Sequence, residues 1–160
     1  GVILDITCHD AAAVDAILGR DAVEATAVAV RQGPWERVVE DAVVTSLRYD
    51  GDVLVQTHDA FTVAYAPTGI DVIGEDGAIS ATDVMTQEPI GHVILRDAAG
   101  TREIDIADRR DLYDISVGGF AAAVAGEAPE PIVTGGEGLD ATRVALAVRL
   151  AADTGERVTL

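Results

Sequence analysis

Along the first 19 residues, GVILDITCHDAAAVDAILG, apolar side chains fall at Val2, Ile6, Val14, Ile17 and Leu18, with small alanines between them and Gly19 at the close. That spacing predicts a helix stopped by glycine. Beyond it the period shortens to two. AVEATAVAVRQ (22–32) is rich in Val, Ala and Thr, and RVVEDAVVTSLRYD (37–50) alternates until Asp50, Gly51 and Asp52 supply a turn. VLVQTHDAFTVAYA (53–66) then returns, so the two long segments read as an antiparallel hairpin rather than a crossover unit. Shorter strands are predicted at GIDVIG (69–74), GAISATD (77–83), HVILRD (92–97) and REIDIA (102–107), joined by GEDG (74–77) and AAGT (98–101).

The last third changes period again. In DLYDISVGGFAAAVAG, Tyr113, Val117, Phe120 and Val124 make one apolar stripe at helical spacing. APEPIVTGGEG (128–138) reads as a Pro/Gly loop, and LDATRVALAVRLAADTG (139–155) as a helix apolar on most of its circumference and therefore well buried. RVTL (157–160) is a terminal strand or tail. A helix, many antiparallel strands and two further helices define an α+β class: one large open, mostly antiparallel sheet with helices packed on one face. Along 53–65 one side carries Val53, Val55, Thr57, Asp59, Phe61, Val63 and Tyr65, and the other Leu54, Gln56, His58, Ala60, Thr62 and Ala64. Neither is strongly charged, a pattern that suits self-association through the open face.

Composition narrows the picture. A length of 160 residues suits a single domain, and 49% hydrophobic residues indicate a folded chain whose core, with 4% aromatics, is built from Val, Ala, Ile and Leu. The net charge is −17, and all 11 basic residues are Arg, with no Lys. Such a surface disfavours a nucleic-acid backbone, whose binding depends on cationic counterion release. One cysteine, Cys8, leaves no internal disulfide and fits a reducing cytoplasm. No run of about 18 apolar residues and no basic leader points to a membrane.

Candidate chemistry centres on Asp5 and His9, which stand at i and i+4 and so project from one side of a helix. Imidazole titrates near neutral pH and is suited to move a proton at a substrate hydroxyl, and a carboxylate one turn away can hold the ring. The same spacing also describes an ordinary surface pair. His58 and His92 read as solvated or edge residues, and a metal site from His9, His58 and nearby Asp finds no compact ligand spacing. Trp35, in QGPWER, suits either a cap on a sugar ring or a packing contact. Arg109 and Arg110 suit either solvent or an anionic ligand.

Context weighs on that pair. GVILDITCH resembles the Gly-x-x-x-Asp-x-x-x-His stretch of the glucose–fructose oxidoreductase/inositol dehydrogenase (Gfo/Idh/MocA) family. VEDAVVTSLRYDGDVLVQTHDAF is similar to that family's central hairpin, and IDVIGEDGAI to its I-x-G-x-x-G-x-I strand–turn–strand. LYDISVGGFAAAVAG is similar to its Tyr-x(6)-Phe-x-x-Ala helix, and TGGEGLDATRVALAVRLAADTGERVTL to its closing segment. Five matches in order span almost the whole chain.

The resemblance implies the C-terminal substrate-binding and oligomerisation domain, residues 1–160, of a longer enzyme. Its N-terminal Rossmann domain would bind NAD or NADP and supply a lysine from a Glu-Lys-Pro stretch. Neither that lysine nor a Gly-x-Gly-x-x-Gly loop after a strand is present here. The resemblance assigns Asp5 and His9 to the substrate pocket, with the histidine assisting proton transfer as hydride passes between nicotinamide and a sugar, polyol or related hydroxy compound. One departure stands out: family members often carry an aspartate three positions after the histidine, where this chain has Ala12, while Asp10 directly follows His9. The partners implied are a small-molecule substrate, the Rossmann domain and a second copy of the chain, with no nucleic acid and no membrane. The competing expectations are a non-catalytic dimerisation or binding domain and a metal-dependent isomerase or hydrolase.

Overall fold

The computed structural model describes residues 1–33, 39–129 and 132–160. In order they form a π-helical turn (Ile3–Thr7), helix α1 (Cys8–Leu18), and strands β1 (Ala22–Val30), β2 (Ala42–Tyr49), β3 (Val53–Ala60), β4 (Gly69–Gly74), β5 (Gly77–Thr82), β6 (His92–Asp97) and β7 (Gly100–Ile104). Helices α2 (Leu112–Val124) and α3 (Gly135–Thr154) and a short strand β8 (Val158–Thr159) complete the chain. Two compact units result, Gly1–Ala64 with Val133–Leu160, and Tyr65–Ile132. Trp35 and the start of the 37–50 segment lie outside the described residues.

The class is α+β and the strand pairs are antiparallel, as the patterns predict. The ladders close, however, into two four-stranded sheets, β3-β2-β1-β8 and β4-β5-β6-β7, where alternation suggested one. The β2–β3 ladder stops just past Ala60: after a last bond from the Phe61 N–H to the Asp41 carbonyl at 2.9 Å the chain turns, and residues 63–68 join no strand. Period-two hydrophobicity records which way side chains point, not whether the backbone still has a ladder partner.

In the first unit, β2 and β3 pair from Ala42–Ala60 to Tyr49–Val53. Their turn uses positive φ at Gly51 (77°) and Asp52 (60°), a conformation that Gly and Asp tolerate better than most residues. Helix α3 lies on β1 and buries Ala141, Val144, Ala145, Ala147, Val148 and Ala151. Ala25 on β1 is also buried, so small side chains meet small side chains and helix and strand approach closely. Val2, Ile3, Ala11, Val43, Leu47 and Tyr49 complete the core.

The reading of α3 as buried around most of its circumference is corrected: Leu139, Leu146 and Leu150 are exposed, and the helix buries its Ala/Val side instead. It also starts earlier than predicted. Thr134 and Glu137 form a reciprocal capping box that turns the glycine-rich TGGEG stretch into a first helical turn. Helix α1 ends as expected at Gly19, whose φ of 59° is left-handed. Its Ile17, expected in the apolar set, is exposed.

In the second unit β4 to β7 form a meander, and α2 is capped by Asp111, whose carboxylate accepts from Tyr113 N–H at 2.8 Å and Asp114 N–H at 3.1 Å. The predicted stripe of Tyr113, Val117, Phe120 and Val124 is exposed. Ile132 packs so close to Gly119 that a Cβ there would overlap its side chain. Among the described residues, no helix is long and apolar enough to cross a membrane.

Candidate active site

The π turn and α1 share a buried side formed by Val2, Ile3, Thr7 and Ala11. A π turn spends an extra residue on one turn, which rotates the later turns of the helix relative to the earlier ones, and such turns recur at functional sites. Asp5 lies inside this turn and His9 is the second residue of α1. Both side chains are exposed, and among the described residues neither has a hydrogen-bond or ion-pair partner, including each other. The pair is thus open to a ligand but not preassembled.

Below the turn lies a polar cluster on β2 and β3. The wholly buried Thr7 hydroxyl donates to Asp59 Oδ2 at 2.6 Å, and Asp59 is only 8% exposed. The Thr57 hydroxyl makes a long contact of 3.5 Å with the same oxygen and stands 3.0 Å from the Thr45 hydroxyl. Asp10 is partly buried on α1, and burial first, then the charge of nearby Asp59, pushes its carboxyl up to about 7. Sequence reasoning read His58 as a solvated or edge residue and gave Asp59 no role of its own. His58 is indeed exposed, but Asp59 belongs to the core-facing side of β3. Its alternation with Val53, Val55 and Thr57 was the signal available.

Other candidates resolve differently. His92 is exposed, with Nδ1 at 3.0 Å from Glu103 Oε1 across β6 and β7. Arg109 donates to the carbonyls of Pro89 at 2.9 Å and Gly91 at 3.1 Å, and Arg110 chelates Asp108. Both guanidinium groups are therefore engaged within the fold. Among the described residues no group of three or more His, Cys, Asp or Glu is arranged to hold a metal ion.

A nicotinamide dinucleotide needs a seat for its pyrophosphate, which free backbone N–H groups at a helix start provide. Here a carboxylate stands at each helix start. Glu40 Oε1 accepts from Ile3 N–H at 3.3 Å, Asp111 covers α2, and Glu137 accepts from Thr134 N–H at 2.7 Å. The described residues do not fit the phosphates of such a cofactor.

The chain matches the GFO/IDH/MocA C-terminal domain over residues 1–80 and belongs to that family. It is 40% identical over 156 residues to 1,5-anhydro-D-fructose reductase from Ensifer adhaerens, covering 98% of this chain and 46% of that protein. Among solved structures, aldose-aldose oxidoreductase from Caulobacter crescentus superposes with a TM-score of 0.89 at 21% identity, covering 100% of this chain and 48% of its own. An oxidoreductase from Agrobacterium radiobacter, in complex with NAD+, L-tartaric acid and magnesium, gives a TM-score of 0.76 at 16% identity, covering 97% and 48%. The chain spans about half the length of these relatives.

Proposed function

We propose that this chain is the substrate-binding and oligomerisation domain of an NAD(P)-dependent oxidoreductase that transfers hydride between a nicotinamide cofactor and a sugar, polyol or related hydroxy compound. The observation that carries this reading is the 40% identity, along nearly the whole chain, to a reductase of an anhydro sugar. The cofactor, NAD or NADP, is held by an N-terminal Rossmann domain outside these residues.

Within this domain His9 exchanges a proton with the substrate oxygen, the task for which an accessible imidazole is suited. Asp5 orients the ring and stabilises its protonated form once substrate closes over both. The exposure of the two side chains supports this assignment, because a pocket completed by another domain leaves them open here. The outer face of the first sheet, with Val28 at 71% and Leu54 at 78% exposure, supports self-association through that face. The single cysteine, whose thiol donates to the Leu4 carbonyl, supports a cytoplasmic location.

The test is reduction of 1,5-anhydro-D-fructose by the full-length protein, followed as loss of NADH or NADPH absorbance. Turnover with either cofactor is expected. A folded full-length protein that oxidises neither cofactor with this sugar, nor with a panel of aldoses and ketoses, and reduces neither NAD nor NADP with polyols, would refute the proposal.

A further inference from the structure

The π turn is tied to the β2–β3 hairpin at both of its ends. At its start the Val2 N–H donates to the Glu40 carbonyl at 3.1 Å and the Ile3 N–H to Glu40 Oε1 at 3.3 Å, just ahead of β2. At its end the Thr7 hydroxyl donates to Asp59 Oδ2 at 2.6 Å, within the range of about 2.5–2.7 Å usual for a hydroxyl on a carboxylate. Thr7 has no exposed surface and Asp59 is 8% exposed, so the bond is shut away from water. Thr7 stands two residues after Asp5 and two before His9. Residues two apart in a helix point to nearly opposite sides, so the buried bond holds the back of a turn whose front carries both exposed side chains. We propose that Thr7 and Asp59 are positioning residues: their hydrogen bond fixes the π turn, and through it the angle at which His9 stands beside Asp5.

Stability alone does not call for this pair. Among the described residues no cation accompanies Asp59, and a well-packed apolar pair commonly matches a buried polar one in stability. Thr57 makes only a long contact of 3.5 Å with Asp59 and has the Thr45 hydroxyl at 3.0 Å as its own partner, so it does not depend on the carboxylate. What the bond supplies is direction, since a hydrogen bond holds a residue at one place where apolar contacts can slide. The turn needs that restraint. It takes up one residue more than an α turn, and relaxing to α geometry would swing His9 about the helix axis relative to Asp5. The catalytic consequence rests on the reading of His9 as the proton-transfer group and Asp5 as the group that orients it.

The test compares full-length wild type with Thr7→Val, Thr7→Ser, Asp59→Asn and the double variant Thr7→Val/Asp59→Val. Thr7→Val leaves a buried oxygen without its donor and should lower the melting temperature. The double variant removes both polar groups and should regain most of that loss. With 1,5-anhydro-D-fructose, kcat should fall about ten- to a hundredfold in Thr7→Val with KM little changed, and stay low in the double variant. It should return close to wild type in Thr7→Ser, which keeps the donor. A merely structural pair would instead let kcat recover together with the melting temperature. Amide hydrogen exchange at residues 5–9, followed by NMR, should quicken in Thr7→Val and in the double variant but not in Thr7→Ser. Should Thr7→Val not fold, the double variant set against Asp59→Asn, which keeps an oxygen for the hydroxyl, gives the same comparison. Wild-type kcat in Thr7→Val or in the double variant, or exchange at residues 5–9 no faster in either, overturns the proposal. Absence of turnover in the wild type would count against the oxidoreductase reading, and the exchange data would still decide whether this bond fixes the turn.

Discussion

His9 and Asp5 stand in solvent near the start of the first helix, whose opposite side is tied down by the bond from Thr7 to Asp59. That division of labour makes their substitution informative. His9→Ala in the full-length protein should lower kcat by roughly 10²–10⁴, the usual worth of a positioned acid–base group. Asp5→Asn should cost less, since the role proposed for it is to orient the ring rather than to move the proton. Both melting temperatures should stay close to wild type, because neither side chain is buried or bonded. Steady-state kinetics beside thermal melts check this, and a His9→Ala protein that melts far lower yet turns over normally would make the histidine structural. The i, i+4 spacing of this pair was legible in the sequence. The Thr7–Asp59 hydrogen bond was not, because it joins residues 52 positions apart and depends on which side of β3 meets the helix.

The α3 start shows how helix ends are written in side chains. Thr134→Ala removes the acceptor for Glu137 N–H and should cost about 1 kcal/mol at neutral pH, read from chemical denaturation. The Thr134 N–H and hydroxyl hold the Glu137 carboxyl below its ordinary range. The part owed to that carboxylate is therefore present above that range and lost as pH falls through the lowered value, so the difference between variant and wild type should narrow in acid without vanishing, since the Glu137 N–H bond to Thr134 does not titrate. The T-x-x-E signature was there to be read at 134–137, but the surrounding glycines made the stretch look like a loop. Most strand positions and the α2 span came from period alone. The π turn did not, since its apolar spacing differs little from that of an α-helix over five residues. In the core that α3 covers, Leu47→Ala should cost about 2–5 kcal/mol, because Leu47 is 2% exposed and the loss leaves a cavity.

Assembly and cofactor traffic belong to the domain taken entire. Val28, Val44 and Leu54 are exposed on the outer side of the first sheet, among Thr26, Ser46, Gln56 and His58, and burying their apolar surface gains about 25 cal/mol per Å². Sedimentation at micromolar protein should show self-association that strengthens with salt, as screening relieves the repulsion of a −17 chain. Leu54→Glu should yield monomer, and a wild-type monomer at moderate salt would count against an interface there. Residues 1–160 alone should give no saturable heat with NAD or NADP, since carboxylates hold the helix starts that a pyrophosphate would need. Tight binding of either would place cofactor contacts within this chain. The family was legible as an ordered series of short segments, whereas the division into two sheets was not, because the alternation in 53–65 does not mark where the backbone pairing stops past Ala60.

The close seat of α3 on β1 has a consequence for how this lineage can drift. Ala25, Ala145 and Ala151 have no exposed surface, and a larger side chain at any of them would cost roughly 1–3 kcal/mol by forcing helix and strand apart. Leu139, Leu146 and Leu150, on the outer side of the same helix, carry no such constraint within this unit. Among orthologues, the usual expectation for a helix is thereby reversed: the alanines should be nearly invariant, while the leucines exchange freely wherever no neighbouring surface has come to depend on them.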